Sequence, residues 1–255
     1  MVTWVTTFLI PRDREPVYNL SHYRKQFERL LETGIPIVLF LDKKIEWKFN
    51  NSNLKVYPVS LEDTWIHSAV PDDAVVTTIR VEKDTIGYMK IQHTKVEWLH
   101  RAKLMNPFNT QWFGWIDMGI QRVLSDAGFE RLRTLVLPNI PRLVTPGCWG
   151  WVDNNVWKGI HWRFCGGLLL IHGSFTESFF ETHKATVLRE LPKFTWEVNI
   201  WALMEWDGYS FGWTHAPEHN DSMVPTNYDD FEWGNFRGYD ESIRQLNYRI
   251  QGHKR

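Results

Sequence analysis

The chain has 255 residues, 43% of them hydrophobic, which suffices for one large α/β domain or two small ones with a full core. Lysine and arginine total 29 against 30 aspartates and glutamates, a formal net charge of -1. That balance argues against binding along a nucleic-acid backbone, while leaving room for a local basic pocket. Two cysteines, Cys148 and Cys165, do not make a close pair of the kind found in zinc knuckles or redox motifs, and a secreted disulfide scaffold would be richer. Reduced thiols in a cytoplasmic protein are the simpler expectation.

Residues 2–10 alternate β-branched and aromatic side chains, the pattern of a first strand. The start lacks the charged region of a signal peptide, Arg12, Asp13, Arg14 and Glu15 interrupt it, and no apolar run is long enough to span a bilayer. A polar loop over 11–16 leads to a helix predicted over 18–32, with Leu20, Tyr23, Phe27, Leu30 and Leu31 on one face and Gly34 just past its end. Residues 35–42 are an apolar strand ending in Asp42, and strand, helix, strand in this order is a parallel βαβ unit. A third strand covers 54–59, and Pro71-Asp72-Asp73 turns the mixed stretch over 60–87. A helix over 88–105, with Met89, Gln92, Val96, Leu99 and Leu104 inward, stops at Asn106-Pro107-Phe108. A strand over 112–116 then delivers Asp117. Helix is predicted over 120–133, strand over 135–137, strand over 162–171 with Gly166-Gly167 inside it, and helices over 174–190 and 197–206. Pro138, Pro141, Pro146 and Gly147 punctuate loops, and the aromatic, polar tail from 207 reads as loops with short strands. With no repeat and no clear linker, one domain is expected.

Candidate chemistry begins at Trp112-Phe113-Gly114-Trp115-Ile116-Asp117-Met118-Gly119, an apolar strand running into a carboxylate. At the C-terminal end of a parallel strand, Asp117 either caps the next turn or meets a ligand, for example a cation. Asp42 lies on the same rim but is followed by Lys43 and Lys44, so a solvated turn is the plainer reading. The Gly166-Gly167 pair marks a bulge, a close ligand approach or tight packing against a tryptophan. Glu197 suits a helix start, and it could also take a proton from an attacking hydroxyl; Glu205 is a second candidate. His215 and His219 share a loop with Glu218 and Asp221, where Pro217 forbids a helical zinc motif. Oxygen donors with one histidine suit Mn²⁺ or Mg²⁺. Lys95, Arg101 and Lys103 could meet a diphosphate or line a solvated helix face. Most of the 15 tryptophans belong in the core, and a few could stack on sugar rings. No P-loop, GxGxxG or GxSxG motif occurs, which weakens kinase, dehydrogenase and hydrolase readings.

Asn106-Pro107-Phe108-Asn109-Thr110, Trp115-Ile116-Asp117-Met118-Gly119, Gly166-Gly167, Trp196-Glu197 and His219-Asn220-Asp221-Ser222 together resemble, in that order, the HtrL/YibB-type proteins, a family regarded as glycosyltransferases. The resemblance implies a GT-A-like α/β sandwich, with a central, mostly parallel mixed sheet flanked by helices. A nucleotide-binding half would span about 1–120 and an acceptor half about 121–255. It implies transfer of a sugar from a nucleotide-sugar donor to a glycan acceptor, assisted by Mn²⁺ or Mg²⁺. Asp117 matches the metal-motif position, although Met118 and Gly119 replace the second acid, and His215 or His219 matches the late loop ligand. Glu197 matches the region where the catalytic carboxylate of inverting enzymes often lies, while Thr6, Thr7, Asp42, Lys95, Gly166 and Gly167 are the expected donor contacts. The competing class is a carbohydrate-binding protein on a degenerate transferase fold. A metal-dependent phosphoesterase would carry a denser Asp/His cluster.

Overall fold

Strands that are apolar on both faces need cover on both faces. Val2–Phe8 (β1), Ile37–Asp42 (β2) and Trp112–Ile116 (β5) are such strands, almost wholly buried, and they lie side by side in parallel. In this computed structural model, which describes residues 1–11, 13, 19–77, 84–137, 142–148, 156–225 and 232–233, they form the centre of an eight-stranded mixed sheet. Leu54–Val59 (β3) continues the parallel run at one edge. Beyond β5 the direction reverses: Leu168–His172 (β7) is antiparallel to both β5 and Leu143–Gly147 (β6). Gly212–His215 (β9) is parallel to β6, and Glu232–Trp233 (β10) closes that edge, giving the order β10-β9-β6-β7-β5-β1-β2-β3. Val75–Val76 (β4) and Lys193–Phe194 (β8) pair in a separate small ladder.

Alternate side chains supply two cores. Trp4, Ile37, Leu39, Trp112 and Ile116 face Leu20–Glu32 (α1) and Asp126–Thr134 (α4), which contribute Phe27, Leu30, Leu31 and Leu132. Val5, Val38, Phe40, Phe113 and Trp115 face Ile86–Met105 (α3), Thr176–Glu190 (α5) and Glu197–Trp206 (α6). The short helix Trp65–Ala69 (α2) packs beside α3. A Phe40–Trp98 stack, with centroids 4.5 Å apart, joins the sheet to α3. No helix of the described residues is long and apolar enough to cross a membrane.

Most expected elements lie within two residues of their predicted bounds, and Gly34, at φ +75°, follows α1 in the left-handed conformation glycine tolerates. Four differences are informative. Residues 135–137 form no strand, and Val136 is largely exposed; β6 lies further on and ends in Pro146-Gly147, expected as loop. Pro146 is tolerated because its carbonyl, accepting from the Cys165 N–H at 2.7 Å, is what the neighbouring backbone uses. Gly166-Gly167 forms a turn ahead of β7 rather than a bulge inside it. The helix over 120–133 is divided: a 3-10 turn at Ile120–Arg122 precedes α4, which Ser125 caps. Leu104 is exposed, whereas α3 buries Lys90, His93, Lys95 and Glu97. Pro16, Pro138, Pro141, Trp149 and Trp151 lie outside the described residues.

The buried histidines form a relay whose tautomers follow from its acceptors. The Thr195 carbonyl, 2.7 Å from His93 Nε2, can only accept, so Nε2 carries the proton. In the neutral ring Nδ1 then accepts from His183 Nε2 at 2.9 Å. Burial drives His93 down to about 4, against the opposing Thr195 carbonyl, and burial followed by the His93 charge puts His183 well below the ordinary range. Because the unfolded chain binds protons near pH 6.5 that the folded chain refuses, stability is lost as pH falls from about 6.5 to about 4. The expected loss from His93 is on the order of 3 kcal/mol, read as a falling urea midpoint across that window. The His93→Gln/His183→Gln double variant should flatten this limb; an equally steep limb in the variant would assign the loss to other groups.

Candidate active site

Lys95 sits in the middle of α3, facing the C-terminal rim of the parallel strands, with a side chain only 4% exposed. An ammonium there needs three acceptors. It donates to Glu197 Oε1 at 2.7 Å and to the Gly166 carbonyl at 2.8 Å, and its third partner is Asp117 Oδ1 at 3.3 Å. Glu197 begins α6, and its side chain is 2% exposed. Gly166 is forced: a Cβ there would collide with the Glu197 carboxylate and lie 3.3 Å from Lys95 Nζ. Asp117 ends β5, its N–H donates to the Gly167 carbonyl at 3.0 Å, and Trp115 Nε1 donates to its Oδ1 at 2.7 Å. Its Oδ2 has no hydrogen-bond partner among the described residues, and the side chain is 44% exposed.

Burial disfavours the charge on Lys95, yet the Asp117 and Glu197 carboxylates more than offset this and hold its pKa above the ordinary lysine value. Burial likewise raises Glu197 above the ordinary glutamate value in spite of Lys95. Glu197 Oε2 is buried without a partner among the described residues. With both carboxylates ionised, two negative charges and one positive leave the trio one charge negative.

The trio lines a cleft of about 410 Å³, with Tyr88, Trp162, Trp196 and Arg122 also among its lining residues. Lys95, Asp117, Gly166, Gly167, Glu197 and His219 all line it, joining residues far apart in the chain. Thr6, Thr7, Asp42 and His215 do not. Thr6 is buried within β1, Thr7 donates its hydroxyl to the Phe40 carbonyl at 2.8 Å, and His215 packs against Trp213. Asp42 caps its own turn, accepting from Lys44 N at 3.0 Å and Ile10 N at 3.2 Å. Glu205 is occupied by a two-pronged ion pair with Arg163, at 2.7 and 2.9 Å, away from the cleft.

One set of residues escaped the sequence reading. Cys148, Cys165 and His219 offer ligand atoms that all lie within 4.8 Å of one another, and among the described residues this is the one three-donor group of histidine, cysteine or acidic side chains. A hydrogen bond from Cys165, with help from His219 and against burial, holds the Cys148 thiol down at about 5. The same bond and burial push Cys165 up, and Cys148 raises His219. The cysteines stand 17 positions apart, a separation that carries no local signal.

No known family profile matches the chain. No curated protein matches it either. Similar solved structures include a glycosyltransferase involved in the glycosylation of the major capsid of PBCV-1, at 10% identity and a TM-score of 0.44, covering 98% of each chain. They also include 4-diphosphocytidyl-2C-methyl-D-erythritol synthase from Anaerococcus prevotii, at 10% identity and a TM-score of 0.40, covering 95% of this chain and 98% of that one.

Removing Lys95 strands a buried Glu197 carboxylate. Lys95→Met should therefore cost about 3–5 kcal/mol in urea unfolding, and Lys95→Met/Glu197→Gln should recover much of it. Additive losses in the double variant would show that the two side chains are not energetically coupled.

Proposed function

We propose that the chain is a nucleotide-sugar-dependent glycosyltransferase whose donor lies in the cleft above Lys95, Asp117 and Glu197. The observation that carries the reading is the trio itself: a buried ammonium, a half-exposed carboxylate and a buried carboxylate converging on one pocket at the strand ends, where open α/β sheets place ligands. About 410 Å³ is within the range of small-molecule sites, and the aromatic walls suit a base or a sugar ring.

The excess negative charge would repel a diphosphate, so a cation at Asp117 is electrostatically apt. Mg²⁺ and Mn²⁺ suit a site of one open carboxylate oxygen completed by water and phosphate oxygens, and Asp117 Oδ2 is such an oxygen. When bound there, the ion would offset charge growing on the leaving diphosphate. Arg122 adds a positive charge to the lining of the cleft. Lys95 fixes Glu197 through Oε1, leaving Oε2 as the basic atom. In an inverting transfer, the acceptor oxygen bonds to the anomeric carbon as the bond to the diphosphate breaks. The hydroxyl proton passes to the Glu197 carboxylate, whose Oε2 is buried here and meets the acceptor only once the side chain turns toward the cleft. The raised pKa of Glu197 favours that acceptance. The resemblance to HtrL/YibB-type proteins supports the same reading through Asp117 and Glu197.

A panel of nucleotide sugars, assayed for binding, hydrolysis and transfer with and without Mn²⁺, tests the proposal. At least one donor should bind and turn over, and the absence of any nucleotide-sugar binding would sink it. Asp117→Asn should remove the metal-dependent part of donor affinity while the protein stays folded. Glu197→Gln should retain donor binding and lower transfer by about 10²–10⁴-fold. Undiminished turnover in Glu197→Gln would leave that residue a structural partner of Lys95, and binding without turnover in the wild type would favour a carbohydrate-binding protein.

A further inference from the structure

We propose that Cys148, Cys165 and His219 form a binding site for a thiophilic divalent ion, Zn²⁺ in the first instance, set in the wall of the cleft. The site is separate from Asp117 and does not depend on the transferase reading.

The distances favour an ion over a disulfide. The two sulfurs lie 3.7 Å apart. Two thiolates bound to tetrahedral zinc at about 2.3 Å stand about 3.8 Å apart. A disulfide would bring them to about 2.05 Å, a closure of about 1.7 Å. The third donor is already near, since the ligand atoms of Cys148, Cys165 and His219 all fall within 4.8 Å of one another. A sulfur–nitrogen edge in such a site is about 3.6 Å, so a small inward shift of the His219 ring completes the triangle.

All three ligands sit on fixed backbone. Cys148 N donates to the Trp162 carbonyl at 2.9 Å and Cys165 N to the Pro146 carbonyl at 2.7 Å, so the sulfurs face each other from adjoining strands of chain. The loop carrying His219 is held at one end by Ala216 N on the Gly147 carbonyl, at 2.8 Å. At the other end Asp221 accepts from Ser125 N at 2.8 Å and pairs with Arg131 at 3.5 Å. The His219 ring meets Trp162 edge-on, with centroids 4.6 Å apart.

Two thiolates and an imidazole select zinc over Mn²⁺ or Mg²⁺. Cys165 and His219 both line the cleft, so a zinc ion held by the three residues would sit at its edge, with water or an oxygen of a bound ligand available as a fourth ligand. An ion there also ties the His219 loop to the segment leading into Gly166.

The full chain, purified reduced and metal-free, is loaded with Zn²⁺, desalted and measured for metal content; a parallel Co²⁺ titration reads thiolate-to-metal charge transfer. The expected result is one equivalent of zinc and a charge-transfer band. Second-sphere partners alone are worth about 10–100-fold in metal affinity, so His219→Ala should lower zinc affinity at least that much. Cys148→Ser should weaken the cobalt band. His219 is exposed, so its variant reads the site even if a cysteine variant misfolds. No retained zinc, affinity unchanged in His219→Ala, or a Cys148–Cys165 disulfide in place of metal binding would each overturn the proposal. Zinc content is read without any donor or acceptor, so failure here leaves the Asp117 and Glu197 assignments standing, and a failed donor screen leaves the zinc result standing.

Discussion

The Lys95 ammonium is the constraint around which this end of the molecule is built. A buried lysine is tolerated only when its charge is matched and its three N–H groups are occupied. Here the partners come from three separate places: the end of β5, the start of α6 and the turn before β7. Each is thereby held against α3. The same demand fixes Gly166, since any side chain there would occupy the space in which Glu197 approaches Lys95. The trio is a weak source of net stability, because the cost of desolvating its charges offsets most of their attraction. What it supplies is position: it places one carboxylate half in solvent and another in the dark at the same cleft.

The framework was legible because a parallel sheet covered on both faces writes long apolar runs, and β2 and β5 read directly from them. β6 was not legible because it ends in Pro146-Gly147, a pair that ordinarily breaks strands. Its neighbours accept that pair since they need the proline's carbonyl and not its missing N–H. The apolar run at 135–137 looked better as a strand by composition and has no ladder to join. The Asn106–Thr110 stretch, which opens the block running to Asp117-Met118-Gly119 that is the most specific part of the family resemblance, is a structural clasp. Asn106, in the left-handed conformation, accepts from Thr110 N at 2.9 Å and donates to its carbonyl at 3.1 Å, and Thr110 bonds Thr3 of β1 at 2.6 Å. Its role is to aim β5, and so to aim Asp117.

At the site, single residues were visible and their relations were not. Asp117 stood out because an apolar strand ran into it. Glu197 stands at a helix start and Lys95 on a helix face, but nothing local links positions 102 apart. Helical periodicity misjudged α3 for a physical reason. The helix is packed by the sheet on one side and by α5 and α6 on others, so its polar residues are buried and paired instead of solvated, and its pattern is blurred.

The two candidate ion positions on the cleft follow opposite chemistries. Asp117 offers one carboxylate oxygen, open to solvent, beside an ammonium that disfavours a tightly held cation. An ion there needs further oxygens from outside the protein, which couples its residence to a phosphorylated ligand. Cys148, Cys165 and His219 offer two soft thiolates and an imidazole from the protein itself, so the proposed zinc would be resident whether or not the cleft is filled. Mg²⁺ or Mn²⁺ would gain little from the thiols, and zinc would be drawn away from Asp117 toward them. If both proposed assignments hold, the separation would let one cleft take a hard ion with its ligand and a zinc ion without competition, and it makes zinc content and Mn²⁺ dependence independent observables of the same pocket.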